Sequence, residues 1–302
     1  MTEVKPLLKW AGGKRRLLQT LFEVFPANFD LTQNNFFEPF VGGGAVLFGL
    51  ANHLSKEEIA SLSKKQKSII ISDTNGELIN FYKVVRDSPS ELSSKIRDLA
   101  KRTDREDFYS VRSSSPKTKV GSAARLLYLN RLCFNGLYRV NSKGEFNVPY
   151  GRYINPKIYN PELIKACSAW LKTVQISEAT FKDAVTRAKK GDLVYFDPPY
   201  IPLSATASFA SYAKEGFCEK DQRELAKVIA ALTKKGVYVV LSNSDTKLSR
   251  QIFVDLNLFS VPVGRSISAN GAARSKVKEL IGTNYSTDLM KNPSRIKKLR
   301  VR

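Results

Sequence analysis

The tetrapeptide Asp197-Pro198-Pro199-Tyr200 holds the residue types best placed for chemistry, and it directly follows an apolar run at 193–196. Two consecutive prolines cannot extend a sheet ladder, so they end the strand in a stiff loop. An aspartate precedes them and an aromatic ring follows. The carboxylate and a backbone carbonyl can together accept both N–H groups of an exocyclic amine, such as that of a nucleobase, and stabilise charge developing on its nitrogen. Tyr200 offers a face on which an extruded base can stack. On the residues alone, a strand-ending turn with a surface aspartate fits the same four letters.

Three further segments could hold a ligand. Phe37-Glu38-Pro39-Phe40-Val41-Gly42-Gly43-Gly44 ends a second apolar run, 36–40, and leads into the apolar segment 45–50. Successive glycines let backbone approach a ligand closely, although a tight turn also uses them. The spacing is not G-x-G-x-x-G, which argues against a nicotinamide cofactor. Asp73 closes a third run, 68–72, where a carboxylate can accept from two ribose hydroxyls. It also fits the cap of a following helix, as do Thr74 and Asn75. Lys9-Trp10-Ala11-Gly12-Gly13-Lys14 resembles a phosphate loop but lacks its spacing. Lys14 can pair with the carboxylate of an amino-acid end, with Trp10 packed beside it. A plain helix N-terminus is the other reading.

Composition removes whole classes of chemistry. His53 is the only histidine, which argues against Ser-His-Asp, Cys-His and multi-histidine metal catalysis. No metal is expected. Cys133, Cys167 and Cys218 form no C-x-x-C pair and read as thiols of a reducing compartment. No run of about 18 apolar residues and no N-terminal apolar leader occurs, so a cytoplasmic protein with no membrane partner is expected. Among the 302 residues, 49 Lys+Arg against 28 Asp+Glu leave a net charge of +21. That excess points to a polyanionic partner, nucleic acid first and an anionic membrane second.

The elements that position these residues can be outlined. Apolar runs at 36–40, 68–72, 193–196 and 237–241, the last after a helical pattern at 222–234, predict a mostly parallel α/β sheet covered on both faces. Ligands in such sheets bind beyond the carboxyl ends of the strands, where these motifs sit. The middle of the chain differs. Segments 77–85 and 91–102 read as helices, and 123–134 as a stronger helix with apolar and basic faces. Segment 140–148 reads as two short extended pieces around the turn Asn141-Ser142-Lys143-Gly144. This part is rich in Arg, Lys, Tyr and Asn and reads as an inserted domain. Segment 55–67 is polar and peripheral, and the basic end at 292–302 reads as frayed.

Together the motifs resemble the Dam-type DNA adenine methyltransferases over nearly the whole chain. The resemblance lies in K-W-A-G-G-K at 9–14, F-E-P-F-V-G-G-G at 37–44, S-D-T-N at 72–75, N-G-L-Y-R at 135–139 and E-F-N-V-P-Y-G-R-Y at 145–153. It continues in D-P-P-Y at 197–200, P-L-S-A-T at 202–206, L-S-N-S-D-T at 241–246 and R-S-I-S-A-N-G at 265–271. It implies a Rossmann-like methyltransferase sheet with an inserted, mainly helical DNA-recognition domain plus a β-hairpin. The catalytic domain would comprise 1–75 and 176–290, the recognition domain 76–175, and a basic tail 291–302. The implied reaction is methyl transfer from S-adenosylmethionine to N6 of a flipped adenine, in GATC for members of this kind. Trp10, Ala11, Gly12, Lys14, Glu38, Phe40, Gly42, Asp73, Phe181 and Asp197 would bind the cofactor. Asp197, Pro198 and Tyr200 would hold the adenine.

The resemblance also implies double-stranded DNA as partner and monomeric action. Lys9, Phe134, Asn135, Leu137, Arg139, Asn147, Pro149 and Arg152 would contact the duplex. Chemistry agrees in kind: Arg139 suits guanine O6 and N7, Leu137 and Pro149 suit a thymine methyl, and Phe134 suits the space left by an extruded base. Arg139 on phosphate alone, and Phe134 in a core, stay open. One departure is Thr180-Phe181, where some members carry Asp-Phe and the acid contacts the cofactor's adenine. Rival readings are a methyltransferase for RNA or another amine, which typically shows N-P-P-Y, and a catalytically silent DNA-binding relative.

Overall fold

The structure, a computed structural model, describes residues 3–10, 12, 14–64, 68–201, 217–263 and 277–287. Ala11, the segments 202–206 and 265–271, and the tail 291–302 lie outside the described residues. In chain order the helices are α1 Leu18–Val24, α2 Ala45–His53, α3 Lys56–Lys64, α4 Gly76–Asp87, α5 Pro89–Leu99, α6 Arg105–Ser113, α7 Lys119–Leu132, α8 Pro161–Leu171, α9 Phe181–Ala184, α10 Glu219–Lys234 and α11 Lys247–Ile252. The strands are β1 Phe36–Glu38, β2 Ile69–Asp73, β3 Val174–Glu178, β4 Leu193–Phe196, β5 Tyr238–Ser244, β6 Asn257–Val263 and β7 Val277–Thr283. Among the described residues seven strands, mostly parallel, with helices between them make the mixed α/β class expected of a Rossmann-like methyltransferase. No described helix is long and apolar enough to cross a membrane.

The chain divides into two compact units, the first comprising Met1–Arg15 and Val41–Glu178. In it β2 pairs parallel with β3, from Ile69 opposite Val174 to Asp73 opposite Glu178. Asn75, β-region in its backbone, accepts from Leu78 N–H at 3.1 Å and starts α4, so the cap falls to Asn75 and not to Asp73 or Thr74. Helix α7 packs on α4, α5 and α6. It buries Ala123, Ala124, Leu126, Leu127, Tyr128, Leu129, Asn130 and Leu132, which is far more than one stripe. The expected basic face is therefore absent. Arg125 donates to the carbonyls of Val111 and Arg112, and Arg131 to that of Leu7. Guanidinium groups withdrawn this far from solvent need such acceptors. The helix also stops at Leu132, because Cys133 turns extended at ψ 162°.

After α7 comes a single 3₁₀ turn, Phe134–Gly136. A hairpin follows, with Val140 bridging Phe146 and Cys133 bridging Tyr150, both antiparallel. Asn141 shapes its tip by accepting from Lys143 N–H at 2.9 Å and Glu145 N–H at 3.0 Å. Gly144 sits at φ +77° with open space around the position a Cβ would take.

The second unit comprises Arg16–Phe40 and Ala179–Arg302. Its strands run in the order β1-β4-β5-β7-β6. The β1–β4 and β4–β5 pairs are parallel, while β7 pairs antiparallel with both β5 and β6. All four residues of β4 are buried. Buried Asp192 aligns the start of β4 with the approach to β1, accepting from Asn35 N–H at 2.8 Å and Lys189 N–H at 3.0 Å. Strand β5 extends beyond the expected 237–241 into Ser242, Asn243 and Ser244, all buried. Helix α10 packs on it.

Candidate active site and nucleic-acid interface

In the second unit β4 leads straight into Asp197-Pro198-Pro199-Tyr200. Pro198 is buried, Pro199 exposed, and Asp197 and Tyr200 half-buried. The loop is fastened from three elements. Gln222 of α10, almost wholly buried, donates to the Pro199 carbonyl at 2.8 Å. Its Oε1 accepts from Asn243 Nδ2 of β5 at 3.1 Å, and Asn243 Oδ1 accepts from Ile201 N–H at 3.2 Å. The Ser244 hydroxyl donates to the Ile201 carbonyl. The Tyr200 hydroxyl donates to Glu279 Oε2 of β7 at 2.7 Å. Burial first, then the Asp197 and Glu279 carboxylates, push the Tyr200 phenol well above its ordinary value, so it stays a neutral donor.

Glu38, at the end of β1, is buried. Phe40 stacks on Phe181 of α9 at 5.6 Å between centroids and 23° between planes. Phe217 meets both rings nearly edge-on, at 5.5 and 5.8 Å. Thr180 caps α9, accepting from Asp183 N–H at 3.3 Å and donating to Asp183 Oδ2 at 2.7 Å. The residue that departs from the family pattern thus spends its hydroxyl on its own helix.

In the first unit the glycine turn is built against Trp10. A Cβ on Gly43 would lie 2.7 Å from Trp10 Cβ, and one on Gly42 3.0 Å from the indole, so only glycine permits this approach. Tyr82 of α4 donates to the Gly42 carbonyl at 2.7 Å, and Gly42 N–H donates to Asp73 Oδ2 at 3.1 Å. The other Asp73 oxygen accepts from Asn75 N–H at 3.0 Å. Burial pushes the Asp73 carboxyl above its ordinary value despite N–H groups of Asn75, Gly42 and Thr74 pulling it down. Lys14 is buried and donates to the Gly12 carbonyl at 2.6 Å.

The same unit brings together the residues expected on DNA. Phe134 is 51% exposed, which removes it from any core. Its N–H donates to the Pro149 carbonyl at 2.8 Å. Leu137 and Pro149 are exposed, and so is Lys9, whose Nζ lies 4.3 Å from the Tyr153 ring centre. Partial burial, then repulsion from Arg131, lower the Lys9 pKa. Across the hairpin Arg139 Nε donates to Asn147 Oδ1 at 2.7 Å, and Asn147 N–H donates to the Arg139 carbonyl at 3.0 Å. Asn135, Arg152 and Asn155 all have positive φ, at 55°, 54° and 49°. These are the only such residues other than glycine among the described residues, so backbone strain is concentrated in this segment.

Sequence reasoning missed the supports. Tyr82, Asn130, Gln222 and Glu279 touch the motifs without belonging to them, and Asn243, inside L-S-N-S-D-T, was given no supporting role. A polar residue on the buried side of an amphipathic pattern, as at Gln222, was the available signal. Among the described residues no three His, Cys, Asp or Glu side chains are grouped to hold a metal ion.

Residues 10–267 match the family described as D12 class N6 adenine-specific DNA methyltransferase. The chain is 42% identical over 290 residues to Type II methyltransferase M1.LlaDCHI of Lactococcus lactis subsp. cremoris, covering 93% of this chain and 96% of that protein. It is also 42% identical over 300 residues to Type II methyltransferase M.MjaIII of Methanocaldococcus jannaschii, covering 94% and 100%. Against DNA adenine methylase of Escherichia coli K12 it is 35% identical over 285 residues, covering 93% and 95%. With these matches spanning nearly its full length, the chain belongs to the D12 class of N6 adenine-specific DNA methyltransferases.

Proposed function

We propose that this enzyme methylates N6 of an adenine turned out of duplex DNA, that S-adenosylmethionine is the donor, and that the target is GATC. The observation that carries the reading is the D-P-P-Y loop at the carboxyl end of β4, with its main chain fastened by Gln222, Asn243 and Ser244. Asp197 and the Pro198 carbonyl accept the two N–H groups of the adenine amine and stabilise charge arising on N6. Tyr200, pinned through its hydroxyl, stacks on the base. Such preorganisation supplies much of the rate gain without an enzyme-bound intermediate.

S-adenosylmethionine supplies, when bound, an electrophilic methyl group. The residues suit it. The Gly42–Gly43 backbone carries no Cβ, and Asp73 keeps carboxylate lone pairs for hydroxyl donors beside the N–H groups it already accepts. Trp10, Ala11, Gly12, Lys14, Gly42 and Asp73, with Glu38, Phe40, Phe181 and Asp197, would hold it. No metal is needed. Residues 1–75 and 176–290 would form the catalytic domain, 76–175 the recognition domain and 291–302 a basic tail. Lys9, Phe134, Asn135, Leu137, Arg139, Asn147, Pro149 and Arg152 would meet the duplex, and the exposed ring of Phe134 favours a wedge at the extrusion site.

The test uses S-adenosylmethionine labelled on its methyl group and two short duplexes, one with a single GATC and one with that adenine already methylated on both strands. Label is expected only in the first. Label in neither would overturn the assigned site, and plasmid DNA and total RNA would then be compared as substrates. Asp197→Ala should lower transfer by at least about 10²-fold with the fold and cofactor binding largely recoverable. Turnover near normal would sink the role given to that carboxylate.

A further inference from the structure

Lys9 and Trp10 are consecutive residues with separate duties in the reading above. Trp10 walls the glycine turn, while Lys9 belongs to the DNA-facing set. One side chain fixes the main chain at Lys9. Asn130 of α7, fully buried, accepts from Lys9 N–H through Oδ1 at 2.7 Å and donates from Nδ2 to the Lys9 carbonyl at 2.7 Å. The amide thus pairs with Lys9 as a neighbouring strand would, satisfying both of its main-chain groups. The second proton of Nδ2 goes to the Gly136 carbonyl at 3.1 Å, closing the turn that presents Phe134 and Asn135.

The packing repeats this arrangement. Gly136, at φ +63°, lies so close to Lys9 that a Cβ there would sit 2.4 Å from Lys9 Cβ. Two residues on, Tyr138 stacks on Trp10 at 5.1 Å and 23°. The Tyr138 hydroxyl donates to Glu77 Oε2 at 2.9 Å, which fixes that ring in turn. An asparagine inside a helix is a poor choice by propensity. Here, from a fully buried position, it supplies one acceptor and two donors to three main-chain groups. Aspartate could accept from Lys9 N–H but would face two carbonyl oxygens with a third oxygen. Leucine would leave all three groups unpaired.

We propose that Asn130 is a positioning residue that registers Trp10 and the 134–137 turn against the main chain of Lys9, so that cofactor hold and target discrimination are set by the same clasp. The proposal rests on the functional reading above. Its test uses the full chain with Asn130→Asp and, separately, Gly136→Ala, which disturbs the Lys9 contact while leaving the asparagine in place. Two quantities are read for each: the Kd for S-adenosylhomocysteine, and the ratio of kcat/KM on the target duplex to that on a duplex with one base pair changed. Each variant should weaken the Kd about fivefold or more and lower the ratio about tenfold, the scale of unmaking one or two buried hydrogen bonds.

A generally loosened fold behaves differently. It lowers kcat/KM on both duplexes alike and leaves the ratio unchanged, and that result overturns the proposal. So does a folded variant in which only one quantity moves. Should Asn130→Asp fail to fold, Gly136→Ala decides by the same two readings. A wild-type protein that discriminates between no duplexes fails the functional reading, and this assignment with it. Wild-type discrimination matched by both variants fails the assignment alone.

Discussion

Asp73 carries a linkage of defined sign. Burial raises its carboxyl above the ordinary aspartate value, so the folded chain holds that proton more tightly than the unfolded chain does. Its contribution to stability is complete below the unfolded pKa and is lost as pH rises through the raised folded value. On the proposed reading cofactor binding runs the other way, because hydroxyl donors would favour the ionised carboxylate. Affinity for S-adenosylhomocysteine should therefore fall on acidification, beginning above the usual aspartate range. Asp73→Asn should lack this acid limb in a calorimetric titration, and an unchanged limb would assign it to another group. Arg139 offers a second test. Its guanidinium is already oriented by Asn147, so Arg139→Ala should cost about 1–3 kcal/mol of discrimination at one base pair. A uniform loss on all duplexes would place it on phosphate. Both residues stood out in the sequence, Asp73 by its place at the end of a strand and Arg139 through the family resemblance, though each left a second reading open, a helix cap for one and a phosphate contact for the other. Asn130 did not, since its role comes from contact with Lys9, 121 positions away.

At the level of elements, the supports of the D-P-P-Y loop come from α10, β5 and β7. Glu279→Gln keeps an acceptor for the Tyr200 hydroxyl and should retain most activity. Glu279→Leu removes it and should lower kcat about tenfold, with KM for duplex little changed. Equal losses in the two variants would mean that the carboxylate charge, not its hold on the ring, matters. The central parallel strands were readable as continuous apolar runs. Strands β3, β6 and β7 were not, because half-buried or edge strands mix polar residues into the pattern, as in Val174–Glu178 with only Val174 and Ile176 buried. The hairpin was visible in its turn residues. Helix α7 was visible too, but its surroundings were not: periodicity cannot tell a stripe from a helix enclosed on most sides, and its arginines find carbonyls inside the protein.

For the whole molecule, a net charge of +21 should dominate the association with DNA. Binding to duplexes with and without the target should weaken together as salt rises, by about 10³-fold or more between ~50 and ~200 mM if six or more phosphates are contacted. The ratio between the two duplexes should change far less. Filter binding or fluorescence anisotropy across a salt series reads both. A flat salt dependence would remove charge as the source of affinity. The class of the fold was legible from the apolar runs and the family from the motifs and their order, whereas the division into compact units depends on packing that no local pattern encodes.

The tip of the hairpin at Asn141–Gly144 is shaped by its own hydrogen bonds and has nothing packed around Gly144. Its base is different, tied where Cys133 pairs with Tyr150 and Phe134 with the Pro149 carbonyl. Selection on such a part is uneven. Insertions and deletions at the tip cost little stability, while those at the base misplace every residue that follows. Descendants of this enzyme that come to favour new flanking sequences should therefore differ first in hairpin length, and the chemistry of methyl transfer need not be relearned each time.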